Sequence, residues 1–193
     1  MHRKPNKSVN IKTKPTTEPI TLEEAKAQLN VTCDADDDYI ETLITVARTY
    51  AEQFQNRSYI TQTLELRMDC FPAYLIELPR PPSISLTSIK YIDTNGDVQT
   101  LDSSKYTTDF NSYVARLVPA FNEVWPTTRR VIDAVTIEYQ AGYGAASDVP
   151  ETIKQAIRLM IGEWYLYREA IINGTINKIP FGVDALLTLE KVY

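Results

Sequence analysis

Apolar positions in this chain follow a helical period towards both ends and a strand period in the middle. Near the start, Val9 and Ile11 alternate with Ser8, Asn10 and Lys12, which predicts a short edge strand ended by Pro15. Thr21-Leu22-Glu23-Glu24 is a capping box: the threonine hydroxyl receives a backbone N–H while the glutamate reaches back. A short helix over about 22–30 follows, with Leu22, Ala25 and Leu29 on one face. Four aspartates, Asp34, Asp36, Asp37 and Asp38, gather where the next helix begins and suit its positive dipole end. Ile40, Leu43, Ile44, Ala47, Ala51 and Phe54 then recur at i, i+3, i+4, i+7 spacing. They predict a long amphipathic helix to about Arg57.

The period changes after Arg57. Tyr59 to Met68 is rich in β-branched and aromatic residues and reads as a strand, with Tyr74 to Leu78 as a second. Pro79-Arg80-Pro81-Pro82 stops that second strand as a rigid corner. Ser83 to Asp93 alternates, with Ile84, Leu86, Ile89 and Tyr91 as its apolar members and a bulge expected near Ser88. Asn95-Gly96 is a hairpin turn leading into Val98 to Leu101. Tyr106 to Phe110 and Tyr113 to Val118 form a further pair around Asn111-Ser112. A loop with Trp125-Pro126 precedes a strand over Val131 to Tyr139. Strands at this spacing predict a small antiparallel sandwich or barrel.

Helix returns at Asp148-Val149-Pro150-Glu151, where the aspartate is placed to cap and the proline falls in the first turn. Ile153, Ala156, Ile157, Met160, Ile161, Trp164 and Tyr165 trace one face of a helix ending near Asn173-Gly174, after about 23 residues. A final helix over 183–192 carries Leu186, Leu187, Leu189 and Val192. Helices at both ends are too short for separate domains and should pack together, so the class is α+β. The expected plan is a helical core from both ends of the chain with an inserted antiparallel β domain. It begins with a basic flexible arm (1–17) and the N-terminal half of the helical core (18–58). The β insertion (59–145), the C-terminal half of the helical core (146–175) and a C-terminal docking arm (176–193) follow.

Composition narrows the chemistry more than it names it. The 193 residues, 44% hydrophobic, suit one domain or one domain with an elaboration. No apolar run is long enough for a transmembrane helix, and no signal-like apolar stretch follows the basic start, so no membrane partner is expected. Cys33 and Cys70 make no disulfide framework, and a reduced, cytosolic protein is the plain reading. The only histidine, His2, lies in the terminal tail, which argues against Ser-His-Asp and Cys-His catalysis and against zinc. No glycine-rich phosphate loop and no HExxH motif occurs. No catalytic residue, cofactor or metal is therefore expected.

Charge is uneven. Arg3, Lys4, Lys7, Lys12 and Lys14 are the only charged residues among the first fourteen, and they form a candidate DNA-contacting arm. The rest holds 15 basic against 25 acidic residues, a net of −10, which disfavours tight binding to nucleic-acid phosphates. Asp34, Asp36 and Asp38 mimic the opening of a calcium loop. Tyr39 stands where that loop needs glycine, however, and Thr45 where it needs a bidentate glutamate. Trp164, Tyr165 and Tyr167 offer stacking faces, though their helical spacing points to core and interface. The carboxylate pairs Glu163 with Glu169, and Asp133 with Glu138, are not placed in a cleft by anything in the sequence. The C-terminal segment, with Ile179, Pro180, Phe181, Leu186, Leu187, Leu189 and Val192, is apolar but punctuated. Either it folds back on its own core or it docks on a partner.

The order of these motifs resembles a known family. Thr21-Leu22-Glu23-Glu24-Ala25-Lys26, Asp36-Asp37-Asp38, Tyr50-Ala51-Glu52, Gln62-Thr63, Phe71-Pro72 and Leu78-Pro79-Arg80-Pro81-Pro82 come first. Ser88-Ile89-Lys90-Tyr91-Ile92-Asp93, Asp133 to Tyr139, Ala141-Gly142-Tyr143-Gly144, Val149-Pro150, Trp164-Tyr165 and Arg168-Glu169 follow. Over about 18–190 the series is similar to the phage head–tail connector (adaptor) proteins, the gp6-like or gp8-like family. The resemblance implies a structural virion protein, not an enzyme, forming a dodecameric ring that connects the portal to the tail and continues the DNA channel. It implies as partners further copies of the chain, the portal protein, a tail-completion or stopper protein, and DNA passing without specific binding. The expected place is the head–tail junction of the virion, after assembly in the host cytoplasm. Under that reading the C-terminal apolar residues are the candidate portal interface. The alternative is a cytosolic binding module or enzyme that uses the β insertion as a ligand platform.

Overall fold

A computed structural model describes residues 6–167, 171–172, 175–176 and 181–192, with backbone alone at 171, 172, 175, 176 and 181. The protein is mixed α+β and divides into two compact units. One comprises the described residues up to Lys14 together with Thr61–Gly142. The other comprises Pro15–Ile60 and the described residues from Tyr143 onward.

The helical unit contains α1 (Leu22–Leu29), α2 (Asp37–Gln55), α3 (Glu151–Leu166) and α4 (Phe181–Thr188). The capping box forms: Glu24 N donates to Thr21 Oγ1 at 3.2 Å and Thr21 N donates to Glu24 Oε2 at 2.8 Å. Asn30 and Asn56 end α1 and α2 in the left-handed conformation, which asparagine tolerates better than most residues. Ile40, Leu43, Ile44, Ala47 and Ala51 of α2 share one core with Ile153, Ala156, Ile157, Met160 and Ile161 of α3. Val183 and Leu187 of α4 are buried in the same core. Each large aliphatic side chain withdrawn from water there contributes roughly 1.5–3 kcal/mol.

Three helix expectations are corrected. α3 stops at Leu166, because the i+4 positions after Trp164 and Tyr165 are the charged Arg168 and Glu169 and the apolar face runs out. Asn173-Gly174, the expected cap, lies outside the described residues. Asp148 does not cap α3. It accepts Ala145 N at 2.9 Å across a short 3₁₀ turn, and Pro150 takes the N-cap position. α4 ends at Thr188 rather than 192, since the chain beyond it bonds elsewhere: Val192 N donates to Gln55 O at 3.0 Å. A two-residue antiparallel pair between α3 and α4, of Ile171–Ile172 with Thr175–Ile176, has no counterpart in the sequence pattern.

The β unit contains β1 (Lys7–Thr13), β2 (Gln62–Met68), β3 (Ile76–Glu77), β4 (Ser83–Ile92), β5 (Val98–Thr100), β6 (Tyr106–Asp109), β7 (Arg116–Pro119) and β8 (Val135–Ala141). Five strands form one antiparallel sheet in the order β1-β2-β8-β4-β5, and three form another, β3-β7-β6. Leu64, Leu66 and Met68 of β2 lie opposite Tyr139, Ile137 and Val135 of β8, and this alternation turns one face of the larger sheet inward. Ile76 and Leu117 from the smaller sheet enter the same core, alongside Ile89. Buried Tyr139 donates its hydroxyl to Pro79 O at 2.7 Å, which satisfies its polar end.

No closed barrel forms among the described residues, because β1 and β5 remain edges of the larger sheet. Within the basic arm, the alternation of Val9 and Ile11 forms the edge strand it predicts. Lys7–Thr13 pairs with β2 along its length, since its backbone groups find partners on an otherwise open edge. Asp133 adopts a left-handed backbone (φ 55°), and its N–H donates to Asp69 Oδ1 at 3.2 Å. This turn keeps Val131 and Ile132 out of β8, which was expected to include them. The register shift of β4 between Leu86 and Ser88 places a bulge where the sequence pattern puts one.

Candidate interaction surfaces

The C-terminal candidates separate residue by residue. Leu187 is buried in the core of its own chain, Leu186 is half-buried against that core, and Leu189 is 73% exposed. Val192 is half-buried. Ile179 and Pro180 lie outside the described residues, as does the side chain of Phe181. A polar seam holds this end of the chain to the end of α2. Gln55 Nε2 donates to Leu187 O at 2.7 Å, and Arg57 Nε donates to Glu190 O at 2.5 Å. Lys191 Nζ sits 4.3 Å from the Phe54 ring centroid, a cation–π contact.

The seam continues into a buried charged group that the sequence pattern did not flag. Arg48 donates from Nε to Glu18 Oε2 at 2.6 Å and from an Nη to Glu52 Oε2 at 2.8 Å. Glu52 Oε1 accepts Tyr59 N at 2.8 Å, and Gln55 Oε1 accepts the Tyr59 hydroxyl at 2.6 Å. Burial opposes the charge on Arg48, but Glu18 and Glu52 outweigh it and raise the guanidinium's pKa. Burial likewise pushes the Tyr59 phenol up, so it stays a neutral donor. The only sequence signal was the i, i+4 spacing of Arg48 and Glu52, which ordinarily marks a solvated helix face.

Three of the four aspartates at the start of α2 face protein donors. Lys26 Nζ reaches Asp34 at 2.8 Å and Asp37 at 2.7 Å; these hydrogen bonds, to Asp34 first, hold the lysine's pKa up. Asp36 accepts the Tyr165 hydroxyl at 2.6 Å. Trp164 and Tyr165 pack against the helical core, Trp164 edge-on to Tyr50, while Tyr167 stays exposed. Asp133 approaches Arg67 and Glu138 pairs with Lys12, so that carboxylate pair is engaged by cations. Glu169, the intended partner of Glu163, lies outside the described residues.

Of the basic candidates, Arg3 and Lys4 lie outside the described residues. Lys12 Nζ is held by Glu138 at 2.6 Å, and Lys7 and Lys14 are exposed. Charge is segregated by unit. By sequence the β unit holds 12 Lys/Arg against 10 Asp/Glu, and the helical unit 8 against 15, so one is near neutral at +2 and the other is −7.

The surface that sequence reading missed belongs to the β unit. The irregular stretch between β7 and β8 borders an open groove of about 1100 Å³. Its floor is Phe71 stacked on Trp125, with ring centroids 5.1 Å apart and planes 3° from parallel. Trp125 Nε1 donates to Tyr74 O at 2.6 Å. Cys70, Val124, Arg129, Arg130 and Ile132 line the walls. Nothing periodic marked this region, and only the density of apolar residues in a proline-punctuated loop could have found it.

What these residues assemble is a set of surfaces on two packed units, with no cluster of catalytic groups among the described residues. Residues 19–189 match the model of the phage gp6-like head-tail connector proteins, and the chain belongs to that family. No curated protein matches the chain. Among solved structures, it is similar to a chain in the neck of an empty gene transfer agent particle computed with C6 symmetry, with a TM-score of 0.81, 20% identity and 96% of both chains covered. It is also similar to a chain in the neck of the native particle computed with C12 symmetry, with a TM-score of 0.76, 19% identity and 96% of both chains covered. A chain of the native particle's virion gives a TM-score of 0.76 at 18% identity, covering 96% of this chain and 95% of that one. At these identities the likeness is one of fold.

Proposed function

We propose that the protein is one subunit of a homo-oligomeric ring, twelve copies in the closed form, that joins the portal to the tail and continues the DNA channel. The observation that carries this reading is fold likeness over almost the whole chain to neck components solved with C6 and C12 symmetry, joined to family membership over 19–189. In this reading the helices from both ends of the chain are the ring's framework, and the β unit is an insertion between them. The subunit is structural and not an enzyme. It assembles in the host cytoplasm and resides at the head–tail junction, between the portal and a tail-completion or stopper protein.

The portal contact falls on the C-terminal segment, through the exposed face of α4 and Leu189 rather than through Leu187, which the helical core already covers. DNA passes without specific binding: the helical unit's net −7 repels phosphate, and residual affinity comes from Arg3, Lys4, Lys7 and Lys14. Deleting residues 1–14 would strip a strand from the larger sheet, so substitution of these lysines and arginines is the cleaner probe. The direct experiment mixes the protein with purified portal rings of the same phage and images the product by negative-stain microscopy. A ring of this chain stacked coaxially on the portal supports the reading; portal rings that stay bare at saturating protein contradict it.

A further inference from the structure

The three most exposed large apolar side chains among the described residues, Phe121 (94%), Ile132 (83%) and Val124 (82%), fall within one short stretch. That stretch is held, not loose. Glu123 N donates to Ala120 O, Lys105 pairs with Glu123 at 2.8 Å, Trp125 bonds Tyr74 O, and Arg129 N donates to Ile92 O. Apolar residues presented rigidly to water beside a groove mark a surface built to be covered, with little ordering cost left for the moment of binding.

Charge identifies the occupant. Arg129 and Arg130 are exposed at the groove and pair with no carboxylate among the described residues. Two grooves facing each other would oppose four arginines, so a two-fold self-pairing is disfavoured. The strongly acidic face available is the helical unit, at −7, with Asp34, Asp38 and Glu41 exposed around the start of α2. A ring closes through two unlike faces of the same chain. Resting on the ring reading above, we propose that this groove is one of those faces and that it receives the α1–α2 corner of a second copy.

The two native cysteines report on this contact directly. Cys70 lines the groove and Cys33 is exposed at the acidic corner, so a neighbouring copy brings unlike cysteines together. A short bismaleimide applied to the wild-type protein, concentrated to about 1 mM and followed by sedimentation, should give a ladder of covalent multimers. Peptide mapping should assign the link as Cys33 to Cys70, and either Cys→Ser variant should abolish it. Arg129→Glu with Arg130→Glu should weaken self-association at least tenfold while leaving the urea midpoint of the dilute monomer unchanged. Adding Asp38→Lys and Glu41→Lys to the same chain should restore it. Oligomers that form undiminished in the arginine variant, without the cross-link, overturn this contact and leave the ring reading standing. Closed dimers linked Cys70 to Cys70 overturn both, whereas a protein that remains monomeric at that concentration overturns this contact and leaves the ring reading to the portal-mixing experiment. Protection of the groove by duplex DNA instead of by protein also overturns the assignment.

Discussion

The two units each bury a core of their own but leave different surfaces in water. In the helical unit α2 and α3 interlock through small and aliphatic residues, α4 adds Val183 and Leu187, and Arg48, Glu52, Tyr59 and Gln55 form a buried polar seam, while Val46, Leu166 and Leu189 stay in water. The β unit has its own core but leaves Tyr74, Val98, Phe121, Val124 and Ile132 in water. It is near neutral where the helical unit is strongly acidic. The difference is one of degree and of charge: both units leave apolar side chains in water, more of them in the β unit, and only the helical unit is strongly acidic.

The chain has two tryptophans, Trp125 in the β unit and Trp164 in the helical unit, so each unit can be followed separately with the other replaced by phenylalanine. The largest effect is expected from Glu52→Ala. It leaves Arg48 buried beside Glu18 alone and removes the acceptor of Tyr59 N, and breaking such a buried pair costs about 3–5 kcal/mol. Urea titration should show the loss through Trp164, with Trp125 little changed. An equal loss through both tryptophans would show that the units unfold together.

Next is Leu187→Ala, expected to cost about 2–5 kcal/mol as a core truncation, while Leu189→Ala should fall within about 0.5 kcal/mol of wild type. Equal melting temperatures for the two variants would mean that α4 does not close the core. In the β unit, Tyr139→Phe deletes the bond to Pro79 O and should cost about 1 kcal/mol, read through Trp125 alone.

The smallest effect is a pH dependence of the β unit. Hydrogen bonds from Ser112 first, and from Arg116, hold the Asp109 carboxyl down at about 2. Since an unfolded aspartate titrates near 4, the ionised group stabilises above about pH 4, and its contribution fades as pH falls towards 2. Asp109→Asn should flatten this section of the Trp125 unfolding profile. An unchanged acid limb would remove Asp109 as its source.

Much of the fold was legible because its signals are local. The Thr21–Glu24 box, the aspartates before α2, the Asn95-Gly96 turn and the bulge near Ser88 are each written within a few neighbouring residues. Boundaries failed where tertiary partners decide them. Tyr59 and Ile60 look like strand residues yet belong to the helical core, and Asp148 was drawn to Ala145 instead of α3. β1 was legible as an edge strand from the alternation of Val9 and Ile11, but its partner β2 was not. The groove was invisible because Phe71, Trp125 and Arg129 meet only once both sheets have formed. The burial of Leu187 beside the exposure of Leu189 likewise depends on where α2 ends, not on any feature of the terminal sequence.

The most direct test of the account is a cryo-EM map of the head–tail junction in the assembled particle. The account predicts a closed ring of this chain between portal and tail, with the Phe121–Ile132 stretch of each copy covered by the α1–α2 corner of the next. A map with this chain in single copies, outside the junction, or in anything but a ring would contradict it.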